Sequence, residues 1–162
     1  MKRSVLAGAM ALAVVATGFG APAARAQVSA GGLNDTTMQA VLVGLGYAPT
    51  HLSKGLLIQG KRGTMTLYVQ TVLSADERKL GLNANAGVVD IDAVTAAQWK
   101  SLLALNGDIE PTMFYLDVEK KKVYLHRVLD NRSMTPEILQ RELNTFKDQI
   151  QSTEKTWGAI TH

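Results

Sequence analysis

Two runs near the C-terminal end of the chain constrain its fold more than any other feature. Thr112 to Val118 and Val123 to Leu129 alternate apolar and polar residues on either side of the charged stretch Glu119-Lys120-Lys121-Lys122. Side chains along a strand point alternately to opposite faces, so this pattern predicts a hairpin with one buried and one solvated side. Pairing Glu119 with Lys122 sets Leu116 against Leu125, Val118 against Val123 and Tyr115 against His126. Phe114, Leu116, Val118, Val123 and Leu125 then share the core side. Tyr115, Asp117, Tyr124 and His126 share the other, and form a candidate partner-binding face.

Helices flank this hairpin. Thr135 is an N-cap and Pro136 occupies the first helical position, where a missing N–H costs nothing. Met134 and Leu139 have staple spacing. Leu139, Leu143, Phe146 and Ile150 make one buried stripe, with Trp157 a possible extension of it. Near the start, Asn34-Asp35-Thr36 offers capping oxygens. Met38, Val41, Leu42 and Leu45 follow at i, i+3, i+4, i+7, and Gly46 is a stop, so a helix is expected over Asp35 to Leu45. Leu52 to Gln59 and Met65 to Val72 read as strands around a Gly60-Lys61-Arg62-Gly63 loop, with Met65, Leu67 and Val69 alternating against Thr66, Tyr68 and Gln70. A short strand over Lys79 to Leu82 and a loop over Asn83 to Gly87 come next. Asp90 or Asp92 would then cap a helix reaching Leu105, ended by Asn106-Gly107. Its Val94, Trp99, Leu102, Leu103 and Leu105 predict burial on more than one side.

The N-terminus has the three regions of a secretory signal. Lys2 and Arg3 are followed by an uncharged run from Val5 to Phe19, then by Ala24-Arg25-Ala26, a small-x-small cleavage pattern. The run is shorter than the roughly 20 residues a membrane span needs. Cleavage between Ala26 and Gln27 is expected, with a periplasmic or secreted product. No Cys follows the site, which argues against a lipid anchor. The expected division is a leader over 1–26, a flexible start over 27–33 and one domain over 34–162. No later segment is long or apolar enough to cross a membrane.

The chain has 17 Lys+Arg and 14 Asp+Glu. Lys2, Arg3 and Arg25 fall in the leader, so 14 basic residues remain against 14 acidic ones. A nucleic-acid surface would carry a basic excess, so nucleic acid is not expected as a partner. With no cysteine, disulfides, thiol catalysis and thiolate metal sites are excluded.

No catalytic constellation can be assembled from the remaining residues. His51, His126 and His162 lack metal-ligand spacing, and His162, the last residue, reads as a loose end. Asp90 and Asp92 serve better as helix-start acids than as a calcium loop. No serine lies in a nucleophile elbow or a Ser-x-x-Lys pattern. Gly44-x-Gly46 reads as a helix end rather than a dinucleotide fingerprint. Lys120-Lys121-Lys122 is a solvated hairpin tip, although it could attract an acidic partner or anionic lipid. Trp99 and Trp157 read as packing residues. No cofactor or metal is expected.

The predicted order is α-β-β-β-α-β-β-α, an α+β single domain with helices packed on an antiparallel sheet. Within it, Leu102-Leu103-Ala104-Leu105-Asn106 ends a helix, Phe114-Tyr115-Leu116-Asp117 opens a strand and Val123-Tyr124-Leu125 returns. Thr135-Pro136-Glu137-Ile138-Leu139 then starts the last helix, which closes with Leu143 and Phe146. In order and in these motifs the chain resembles the YbjN-like proteins and the type III secretion chaperone-like fold. The resemblance implies a small, non-enzymatic α/β module, often dimeric, that binds other polypeptides. The export signal departs from the cytoplasmic setting of secretion chaperones. The expected role is thus a protein-binding or chaperone-like module of the envelope, with a protein partner and a possible homodimer. Two alternatives are a small-molecule or lipid carrier with a cavity lined by the second helix, and an enzyme using His126 with Asp117 or Asp92.

Overall fold

The computed structural model describes residues 32–162. The leader, the Ala26–Gln27 cleavage position and most of the 27–33 start lie outside the described residues. The elements run α1 (Asp35–Gly44), β1 (Thr50–His51), β2 (Leu56–Arg62), β3 (Met65–Leu73), β4 (Lys79–Val88), α2 (Ala96–Asp108), β5 (Thr112–Asp117), β6 (Lys122–Asp130), α3 (Pro136–Ser152) and α4 (Glu154–Trp157). All strands join one antiparallel sheet in the order β1-β2-β3-β4-β6-β5. This is the expected α+β single domain, with a two-residue edge strand and a final helical turn added. Among the described residues no helix is long and apolar enough to cross a membrane.

Alternation decides which face of the sheet is covered. Leu56 and Ile58, Leu67 and Val69, Leu80 and Leu82, and Val123 and Leu125 all point to one side and are buried. Leu139, Leu143, Phe146 and Ile150 of α3 join them in one cluster with Met38, Val41 and Leu42 of α1. Burial of such side chains contributes roughly 1.5–3 kcal/mol each. Local signals start α3 where expected: the Thr135 hydroxyl accepts from the Ile138 N–H, and Pro136 follows. Met134 and Leu139 are both fully buried, as a staple requires.

Several sequence expectations need correction. The first hairpin turns at Gly63-Thr64, with Arg62 opposite Met65, so Gly60 to Arg62 are strand rather than loop. Strand β4 continues through Asn83 to Gly87, because β6 supplies partners as far as Val88↔Lys122. A bulge at Ala86 absorbs one residue there. In the second hairpin Leu116 faces Val123 and Tyr115 faces Tyr124, a shift of two residues from the expected register. Val118 therefore leaves the core side for the turn and is exposed. A two-residue shift preserves parity, so the faces of all other residues stand.

Helix α2 starts later than expected. Thr95, not Asp90 or Asp92, is its N-cap, because Thr95 and Gln98 form a reciprocal capping box. Nor is α2 buried on several sides: only Leu102 within it is fully buried, and Leu103 is exposed. The helix lies along the outer strand, where the Asn106 amide accepts from the Phe114 N–H at 2.7 Å and donates to its carbonyl at 3.4 Å. It screens an edge instead of lining a layer. His162 is also not loose, since its main chain exchanges bonds with Val88.

Buried polar groups tie the layers together. Arg127 of β6 points into the core side, pairs with Glu142 of α3 and donates to Thr112 and Gln149. Asn131, fully buried, bonds the main chain of Leu33 and the Glu77 carbonyl. Lys147 passes its stem over Gly60 and donates to the Tyr47 hydroxyl at 2.7 Å.

Burial pushes the Glu142 carboxyl up, but the bonds from Arg127 and Arg141 outweigh it and hold it below the usual value of 4.5. The stabilisation from this pair is therefore present above the unfolded-state value and lost as pH falls through the folded-state one. Glu142→Ala, which strands Arg127, should cost about 2–3 kcal/mol in urea unfolding at pH 7, somewhat under the range for a fully buried pair. Glu142→Gln, which keeps an acceptor, should cost less, and its deficit should shrink towards pH 3.

Candidate functional site

The uncovered side of the sheet follows from the same alternation. One row across five strands reads Leu57, Gln70, Asn83, His126 and Met113 in direct register. The next holds Asn85, Tyr124 and Tyr115, with Tyr68 of β3 on the same face. Tyr68, Met113 and Tyr115 are exposed. Polar amides and aromatic rings thus fill the middle of this face, without charge. Charged residues begin at its ends, at Lys61, Lys122 and Asp117 on one side and Lys79 and Asp130 on the other.

The four residues expected on this face are brought together. Tyr115 and Tyr124 stack at 5.2 Å with planes 15° apart. His126 meets Tyr115 edge-on at 6.1 Å and 90°, a diagonal contact rather than the directly opposed pair expected. Pairs of this geometry contribute about 0.5–1.5 kcal/mol beyond area burial. The His126 Nδ1 lies 2.7 Å from the Asn83 side-chain oxygen, which fixes the ring. Asp117 sits at the border of the cluster, where Lys120 donates to it through its ammonium at 2.6 Å and its main chain at 3.0 Å.

The electrostatics match these contacts. The Lys120 side-chain bond, helped by the main-chain one, holds the Asp117 carboxyl below its usual range. Partial burial, with Tyr124 and Asp117 nearby, pushes the Tyr115 phenol up. Burial against the sheet lowers His126 below 6.5. At neutral pH the cluster therefore presents a neutral imidazole and a neutral Tyr115 phenol, beside the Tyr124 ring and the side-chain amides of Gln70, Asn83 and Asn85. Asp117 is committed to Lys120 and is not hydrogen-bonded to His126. Asp90 and Asp92 lie in the turn before α2, and His51 bonds Gln39. Such a group can donate and accept hydrogen bonds and offer ring surface.

Sequence reasoning assigned Tyr68 and Gln70 to the solvent side of their strand, but not to this cluster. Their placement depends on β4 lying between β3 and β6, and the sequence signals a strand only over Lys79 to Leu82, four of the ten residues of β4. Asn83 and Asn85, read as loop, are the residues that connect the two halves.

No protein-family model and no curated protein matches the sequence. Solved structures do match. A chain of the ExsC–ExsE complex superposes with a TM-score of 0.55 at 18% identity, covering 75% of this chain and 93% of that one. YbjN from E. coli gives 0.59 at 16% identity, over 81% and 92%. This chain has the YbjN-like, type III secretion chaperone-like fold. A chain of the HopA1–SchA chaperone–effector complex gives 0.53 at 11% identity, over 74% and 91%. At these identities the likeness is one of fold alone.

Because burial depresses the His126 value, the neutral ring favours the folded state. That stabilisation is present above the unfolded value near 6.5 and is lost as pH falls through the folded-state one. An NMR titration should place the His126 midpoint below 6.5, and His126→Asn should flatten the stability–pH slope between pH 7 and 5. A midpoint at or above 6.5 would contradict this arrangement.

Proposed function

We propose that this protein is an exported, non-enzymatic polypeptide-binding module of the bacterial envelope, docking its partner on the Tyr115, Tyr124 and His126 face. The observation that carries the reading is the sheet itself, which among the described residues is covered on one side by helices and bare on the other, with aromatic and amide side chains concentrated on the bare side. Tyr and Asn give contact area and adaptable hydrogen bonds at low entropic cost, the chemistry of recognition surfaces. The fold supports the same reading. Two of the structures that share it are a chaperone–effector complex and the ExsC–ExsE complex, in which one polypeptide holds another.

The envelope location rests on the leader, with Ala24 and Ala26 at the positions a signal peptidase reads. Asp117 is engaged with Lys120, and His126 is held by the Asn83 amide, so among the described residues no carboxylate orients it as a base. That favours binding over catalysis.

Expressed with its leader in a Gram-negative host, the protein should appear in osmotic-shock fluid with a mass beginning at Gln27. A photo-crosslinking residue at Tyr124 should give a discrete adduct that the same residue at Gln140, exposed on α3, does not. Retention of the full chain in the cytoplasm would overturn the location. Equal crosslinking at both positions, or none at Tyr124, would overturn the docking face.

A further inference from the structure

The sheet is split. The β3–β4 ladder stops at Val69↔Ala84, although β3 begins at Met65 and β4 runs on to Val88. Beyond that point β4 follows β6, as far as Val88↔Lys122. Its other side is taken by the chain's last residues: Val88 and His162 exchange main-chain bonds of 3.3 and 3.0 Å, and the Thr161 hydroxyl donates to the Ala86 carbonyl. Gly87, at φ +144°, permits this, since a Cβ there would lie 2.7 Å from Thr161. Among the described residues, Met65 to Tyr68 have ladder partners on β2 only.

A cleft of about 350 Å³ opens beside them, lined by Met65, Leu67, Tyr68, Asn85, Ile150 and Trp157. Every residue lining it is uncharged. The indole wall is fixed, because Trp157 Nε1 donates to the Ile150 carbonyl at 3.1 Å. The cleft is at the low end of the ~300–1,000 Å³ typical of ligand sites.

The feature makes two separate demands on an occupant. A strand edge offers alternate N–H and C=O groups that only another extended main chain satisfies in register. A neutral, partly apolar cleft rejects a charged anchor, whose desolvation nothing there offsets. We propose that the split accepts a short extended segment of a partner polypeptide, which adds as a strand beside Met65–Tyr68 and lodges one uncharged, bulky side chain against Trp157. The inference rests on the polypeptide-binding reading and says where the partner's main chain is gripped. The Tyr115–Tyr124 face then lies on the same side as the exposed Tyr68 ring, so one partner can use both.

The test uses the whole chain from Gln27 and the peptide acetyl-Thr-Val-Thr-Phe-Thr-Val-Thr-amide, by calorimetry and amide NMR. Saturable binding is expected, with shifts centred on Met65–Tyr68 and the Trp157 indole. Replacing the central Phe with Asp should weaken it at least tenfold. N-methylation of alternate residues along one peptide edge should abolish binding, while methylation along the other edge should not. Tyr68→Ala, at an exposed position, should weaken binding about tenfold, and Gln140→Ala, on the exposed side of α3, should leave it unchanged. No saturation, indifference to the Phe-to-Asp change, equal effects of both methylated edges, or shifts centred on Tyr115 and His126 would each overturn the proposal. A positive titration beside a failed adduct at Tyr124 would remove only the sheet-face reading; the reverse would remove only this one.

Discussion

Burying one face of a six-stranded antiparallel sheet, and only one, is the constraint on which the rest of this structure depends. Period-two alternation commits every strand at once, since a one-residue slip would turn its whole apolar set to water. Once α1 and α3 cover the Leu- and Val-rich side, the alternate residues must make up the other surface. Tyr68, Tyr115, Tyr124 and His126 are therefore neighbours because of what their sequence neighbours do in the core. Edges are handled separately: α2 brackets the main chain of β5 through Asn106, and the C-terminal residues cover the far end of β4.

The core is not purely apolar, and its polar members set the relative placement of the layers. Arg127 emerges on the buried side of β6 and finds Glu142, Gln149 and Thr112, so the sheet and α3 lock in one rotation. Asn131 joins three separated segments by filling its own hydrogen bonds. Without a disulfide to constrain the chain, such directional contacts are what distinguish one packing from similar ones. Breaking one partner costs far more than exchanging both for apolar residues would.

What could be read from the sequence divides along physical lines. Local signals were legible: the Thr135-Pro136 start with its Met134–Leu139 staple, the Asn34 cap, and the alternation that placed Tyr115, Tyr124 and His126 on one face. Non-local outcomes were not. The hairpin register depends on how the Glu119–Lys122 turn closes, and the chain uses Asp117↔Lys122, which frees Asp117 to receive Lys120. Asn83 to Gly87 have poor strand propensity, and only the neighbouring β6 makes them a strand. Thr95 and Gln98 did carry a capping-box signal, overshadowed by the two nearby aspartates. The split beside Met65 had no sequence signal, because it arises where β3 and β4 choose different partners.

The central claim is that the Tyr115–Tyr124–His126 surface is spare: it is built for a partner and not needed by the fold. The most direct measurement compares the double variant Tyr115→Ala/Tyr124→Ala with the unaltered chain, for urea-unfolding stability and for partner capture together. The account predicts a loss of no more than about 1 kcal/mol, the scale of a cross-strand aromatic pair, alongside loss of partner binding. A loss of several kcal/mol, or full retention of the partner, would contradict it.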